Sequence, residues 1–154
     1  KKKALQHVKP HGALYNMAVE DETLAKAICQ AVKDIDPNLI LVVLAGSKWV
    51  DIAKSYNLRV AREAFADRTL TKSGNLTPRS ESGSVLHNVD EIVKRSIRLI
   101  TEGKVQAVTG EDLVVRADSL CLHGDTPGAI EIAHALRIAL QERNIEIAPI
   151  ETLV

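Results

Sequence analysis

An α/β fold of parallel strands with helices packed outside them is what this sequence predicts, and three observations carry the prediction. The run Leu39-Ile40-Leu41-Val42-Val43-Leu44-Ala45 is apolar on both faces, as a parallel strand covered by helices requires. Leu24, Ala27, Ile28, Ala31, Val32 and Ile35 recur at the spacing of an amphipathic helix. Strand-like and helix-like segments alternate along the rest of the chain, giving consecutive βα units and hence a doubly wound sheet or a (β/α) barrel.

The elements follow in order. A first strand runs from Ala4 to Lys9, and the first helix begins behind Asp21, a residue type whose carboxylate caps free N–H groups. The apolar strand from Leu39 to Ala45 leads into a shorter helix from Lys48 to Tyr56, then a strand from Leu58 to Arg62. A helix carrying Val89, Ile92, Val93, Ile97 and Ile100 opens at Asn88, with Glu91 three residues on, and stops at Gly103. Val105 to Val108 and Leu113 to Val115 flank Gly110 and read as a short hairpin. A strand from Ser119 to His123 precedes a helix from Pro127 to about Arg143, with Thr126 as its expected cap, and Ile145 to Ala148 reads as a last strand. Residues 64–88 form a polar stretch without periodicity, longer than ordinary connections and therefore an expected active-site loop.

The chain has 154 residues, with 20 Lys+Arg against 20 Asp+Glu and 45% hydrophobic residues. That supports one domain, 1–154, with a substantial core. Zero formal charge and four aromatics (Tyr15, Trp49, Tyr56, Phe65) supply neither the basic field nor the stacking platforms of nucleic-acid binding. No apolar run reaches the roughly 18 residues of a membrane span. Cys29 and Cys121 lie in apolar patterns without CxxC spacing, which fits reduced thiols of a cytoplasmic protein. Lys1-Lys2-Lys3 runs straight into a strand-like segment, and the single methionine is Met17. Residue 1 is therefore not expected to be the natural start.

In parallel α/β architectures ligands bind at the carboxyl ends of strands, and three strand ends here carry reactive groups. The first presents Lys9 and His11 beside Gly12, with Asn16 further on; the next runs through Arg62 into Glu63, Asp67 and Arg68; the last is Cys121-Leu122-His123-Gly124-Asp125-Thr126. In that last segment Asp125 is either a helix cap or the partner of His123 in an acid-base pair at a helix start suited to anions. Glu63, Asp67, Arg68 and Arg79 suit either an ion-pair network tying down the long loop or recognition of a substrate carboxylate or phosphate. His7, His87 and His134 are expected to be structural or exposed. With no HxxxH, HExxH or clustered Asp pair, no complete metal site is expected.

Three stretches in order, Val8-Lys9-Pro10-His11-Gly12-Ala13-Leu14-Tyr15-Asn16, Arg62-Glu63-Ala64-Phe65-Ala66-Asp67-Arg68 and Cys121-Leu122-His123-Gly124-Asp125-Thr126-Pro127, resemble the LamB/YcsF family of ATP-dependent 5-oxoprolinase subunits. Gly74-Asn75-Leu76-Thr77-Pro78-Arg79 resembles its long-loop pattern. The resemblance implies a (β/α) barrel related to the sugar deacetylases, here a partial barrel corresponding to the C-terminal portion of such a protein. An open edge is then expected next to Ala4-Leu5-Gln6-His7-Val8. It further implies opening of 5-oxo-L-proline to L-glutamate with ATP as co-substrate, alongside two partner subunits, B and C. On that reading His11, Glu63, His123 and Asp125 are the catalytic candidates, and Lys9, Asn16, Asp67, Arg68 and Arg79 the substrate-binding ones. The alternatives are a metal-dependent deacetylase-like hydrolase and a non-catalytic scaffold, and a homo-oligomer is compatible with each.

Overall fold

The computed structural model describes residues 5–154. Strand β1 (His7–Val8) is followed by α1 (Ala13–Glu20) and α2 (Glu22–Ile35). Then come β2 (Ile40–Leu44), α3 (Lys48–Ser55), β3 (Arg59–Phe65), α4 (Val89–Glu102), β4 (Lys104–Gln106), β5 (Asp112–Val114), β6 (Ser119–Cys121), α5 (Ala129–Gln141) and a 3-10 turn at Ile150–Thr152. Local chemistry sets several boundaries. The Asp21 carboxylate accepts from the N–H groups of Thr23 and Leu24 at 2.8 and 3.1 Å, and the Asn88 side chain accepts from Glu91 N–H at 3.0 Å. Gly103 ends α4 in the left-handed region, at φ 64°.

The main sheet has the order β1-β2-β3-β6, with every pairing parallel. Strand β2 is buried at all five positions, each large residue there contributing about 1.5–3 kcal/mol of apolar burial. The register sets Val42 beside Ala61, Leu44 beside Glu63, and Phe65 beside Cys121. One face, bearing Leu41, Val43 and Val60, packs with Ala25, Cys29, Val32, Trp49 and Ala53 of the helices. On the other face Ile40, Val42 and Ala61 are covered by Ile150 and Val154 near the chain's end. Arg59 fixes that cover, donating from Nη2 to the carbonyls of Glu151 and Val154 at 3.0 and 2.7 Å. This is a parallel half-barrel sheet with helices outside, and both β1 and β6 are edges of it.

Four expectations need correction. Ile145 to Ala148 forms no strand: Ile145 N–H turns back to Leu140 O at 3.0 Å, the preceding Asn144 takes φ 55°, and the segment lies along a groove between α4, β6 and α5. Helix α5 starts two residues later than Pro127, after Gly128 at φ 79°, with no side-chain cap, because the Thr126 hydroxyl is used elsewhere. Helix α1 falls in a stretch whose pattern predicts no element; it buries Tyr15 and Ala18, three apart on one face. Strand β3 extends through Phe65, so Ala64 and Phe65 belong to a strand rather than to the long loop. Of the expected first strand, Ala4 lies outside the described residues, and β1 covers His7 and Val8.

The loop from residue 66 is shaped by its backbone rather than by periodic side chains. Thr69 N–H donates to Ser84 O at 3.1 Å, Thr77 N–H to Thr69 O at 3.0 Å, and Leu86 N–H to Asp67 O at 2.9 Å. These bonds fold the loop back on itself and bring its start, Asp67, to the end of β6.

Candidate active site

Lys9 follows β1 and reaches across two strands. Its Nζ donates to Glu63 Oε1 at 2.7 Å and to Cys121 Sγ at 3.5 Å, and it stands 5.3 Å from the centre of the Phe65 ring and 5.8 Å from that of Tyr15. Burial opposes the ammonium, but the hydrogen bond and charge of Glu63 outweigh it, so Lys9 titrates above its ordinary value. Glu63 is 5% exposed. The Tyr15 hydroxyl is buried beside this carboxylate. Burial, with the Glu63 carboxylate nearby, raises the Tyr15 phenol far above its usual range.

The second half of the site is built on the end of β6. His123 stacks on Phe65, with ring centres 5.3 Å apart and planes 11° apart. Its Nδ1 lies 3.0 Å from each carboxylate oxygen of Asp67, and Thr126 Oγ1 donates to Asp67 Oδ2 at 2.6 Å. Asp67 is wholly buried. An ionised carboxylate only accepts, so it selects the imidazole tautomer with the hydrogen on Nδ1. Nε2 is then left with a lone pair, able to take a proton. Because Lys9 Nζ and the His123 ring each lie 5.3 Å from the Phe65 centre, their separation cannot exceed twice that distance.

The remaining candidates fall into different settings. Asp125, next but one to His123, is exposed, and the carboxylate bonded to the imidazole is Asp67 instead. This corrects the His123–Asp125 pairing. His11 and Asn16 are exposed, Asn16 in the first turn of α1 with its N–H on Gly12 O at 3.3 Å. Arg68 is buried, donating from Nε to Ser84 O at 3.1 Å and from Nη2 to Thr77 O at 2.5 Å. It braces the long loop, and burial, then the nearby charge of Arg79, lowers its affinity for a proton. Arg79 itself is exposed. Arg62 pairs with Asp118, Nε to Oδ2 at 2.8 Å and Nη2 to Oδ1 at 2.6 Å, and clamps β3 to the start of β6. Tyr15, Phe65, Cys121 and Thr126 are not among the site candidates the sequence offers. Period-two alternation from Glu63 to Phe65, and from Cys121 to His123, is the signal that points to two of them. Among the described residues no three His, Cys, Asp or Glu side chains converge as metal ligands, and no helix is long and apolar enough to cross a membrane.

The family model described as LamB/YcsF matches residues 1–154. The chain belongs to the LamB/YcsF family. Among curated LamB/YcsF relatives, the A subunit of the 5-oxoprolinase of Alkaliphilus metalliredigens is 48% identical over 98% of this chain and 59% of its own length. That of Pyrococcus abyssi is 43% identical over 97% of this chain and 59% of its own. Among solved structures, the lactam utilization protein from Thermus thermophilus superposes with a TM-score of 0.84 at 46% identity, covering 94% of this chain and 57% of that one. The chain thus spans less than two thirds of the relatives it matches, and it carries the partial barrel expected of the family.

Proposed function

We propose that this chain forms part of the A subunit of an ATP-dependent 5-oxoprolinase, which opens 5-oxo-L-proline to L-glutamate with the B and C subunits as partners. The reading is supported by the names of the relatives and by the chemistry gathered around Phe65. The observation that carries it is the Thr126–Asp67–His123 chain of hydrogen bonds, with the Lys9 ammonium near the same aromatic ring.

An unstrained lactam is a poor electrophile. ATP hydrolysis by the complex supplies activation of its carbonyl, and water attack then needs a base and donors for the developing oxygen charge. His123 Nε2 takes the proton of the attacking water, and Asp67, held by Thr126, stabilises the resulting imidazolium. Lys9 anchors the substrate carboxylate, with the five-membered ring lying along Phe65. Glu63 keeps Lys9 charged. His11 and Asp125 are both exposed, and His11 comes into play as a further acid or donor when a partner protein covers it.

The test is 5-oxoproline-dependent glutamate formation and ATP hydrolysis by the full-length protein mixed with its B and C partners. Activity that needs all three proteins and is lost in His123→Ala supports the reading. Activity with B and C alone removes it. No observation in this chain favours the deacetylase-like or scaffold alternatives.

A further inference from the structure

The surroundings of Lys9 contain more than anchoring a substrate requires. An ammonium has three N–H donors; one meets Glu63 Oε1 and one points to the weakly accepting sulfur of Cys121. The third has no partner among the described residues, while 30% of the Lys9 side chain remains exposed. Beside it, the Glu63 carboxylate and the Tyr15 hydroxyl are buried next to each other, on residues 5% and 3% exposed. An ammonium with a free donor, partly open to solvent beside a thiol and an otherwise buried polar cluster, marks a receptor rather than a packed core. Two aromatic rings, Tyr15 and Phe65, stand beside the ammonium at 5.8 and 5.3 Å.

We propose that Lys9, Glu63, Tyr15 and Cys121 form a receptor for a small carboxylate. The ligand's carboxylate sits on the free side of the Lys9 ammonium and its α-carbon lies against the Cys121 sulfur. Cys121 is therefore the point at which carboxylate-bearing electrophiles attack this protein. The placement rests on Lys9 as the carboxylate anchor of the proposed reaction, and it adds the thiol as the group that the ligand's α-carbon touches. Cys29, the other cysteine, is fully buried and gives no competing reaction. Burial, reinforced by Glu63, raises the Cys121 thiol above its ordinary value. A neutral reagent therefore reacts slowly, and held proximity is what distinguishes an anionic one.

The experiment compares iodoacetate with iodoacetamide on the full-length protein at mildly alkaline pH, with peptide mass mapping of the adduct. In each reaction the Cys121 thiolate forms an S–C bond, the C–I bond breaks with release of iodide, and the thiol proton passes to buffer. Relative to the ratio for a free thiol in solution, iodoacetate should be favoured at Cys121 by about tenfold, the scale of one ammonium–carboxylate contact near a protein surface. The preference should vanish in Lys9→Ala and Lys9→Gln, with Cys29 unlabelled throughout. A ratio equal to that of the free thiol, or a preference that survives removal of Lys9, overturns the receptor. Protection by 5-oxoproline but not by 2-pyrrolidinone, which lacks the carboxylate, supports receptor and lactam function together. Lys9-dependent labelling without protection by 5-oxoproline supports the receptor while removing 5-oxoproline as its ligand.

Discussion

His123 and Asp67 stand 56 positions apart in sequence, yet Nδ1 of the imidazole lies 3.0 Å from both oxygens of the carboxylate. The residues just beyond β6 carry one partner and those just beyond β3 carry the other. Parallel pairing of Phe65 with Cys121 brings the two strand ends level, so the contact follows from register.

This relationship separates two carboxylates. In the reconstituted complex, Asp67→Asn should lower turnover by about two to four orders of magnitude, the range for losing an oriented base. Asp125→Asn should change it by no more than a few fold, since Asp125 does not touch His123. Steady-state kinetics on the two variants decide the matter, and equal losses would return Asp125 to the relay.

Thr126 has no capping duty, so its replacement reports on Asp67 alone. Thr126→Val should destabilise the fold by about 1–3 kcal/mol, because a wholly buried carboxylate loses one of its donors. Thr126→Ser should restore most of that. Denaturant titration measures both, and the pH profile of kcat should move in Thr126→Val but not in Thr126→Ser.

Removing Lys9 leaves the Glu63 carboxylate buried and uncompensated. Lys9→Ala should therefore raise KM for 5-oxoproline more than it lowers kcat. It should also cost a few kcal/mol of stability, less than the ~3–5 kcal/mol of a fully buried pair because the ammonium is partly exposed. Adding Glu63→Gln should recover stability without recovering KM. A double-mutant cycle by thermal unfolding checks the coupling.

The Arg62–Asp118 clamp predicts an acid-sensitive strand junction. Burial raises the Asp118 carboxyl, but the hydrogen bonds and charge of Arg62 outweigh burial, and the net shift is below the ordinary 3.8. A depressed carboxylate contributes stability that is present above its unfolded value and lost as pH falls through its folded value. Asp118→Asn should accordingly flatten the stability curve below about pH 4 while lowering it at neutral pH. Urea titrations at pH 3 and pH 7 give the comparison, and parallel curves for the two proteins would refute it.

The half-barrel and most of its boundaries are legible in the sequence because they rest on local chemistry. Asp21 and Asn88 cap within three residues of themselves, and the two-sided apolar run of β2 admits little but a covered parallel strand. Lys9, Glu63 and His123 are legible as strand-end polar groups. Which carboxylate serves His123 is not: Asp125 is two residues away and Asp67 is fifty-six, and only the β3–β6 register with the folded-back loop reverses that order. Ile145 to Ala148 has the composition of a strand, but the turn at Asn144 and the bond from Ile145 N–H to Leu140 O hold it against the helix end. Thr126 reads as a cap in every local respect until a buried carboxylate competes for its hydroxyl.

The pairing of β3 with β6 also orders events in time. Strands β1, β2 and β3 with their helices contact one another over short stretches of chain, whereas β6 joins only after the long loop, α4 and the β4–β5 hairpin have been traversed. Contacts of long sequence separation pay their loop-closure entropy late and slowly. Every hydrogen bond of the His123 relay crosses that gap, with Thr126 and Asp67 separated by 59 positions. Acid-base competence is thus a property of the last docking step. During refolding, most of the helix signal should return before His123 acquires its carboxylate, and any partly folded form lacking β6 is chemically silent.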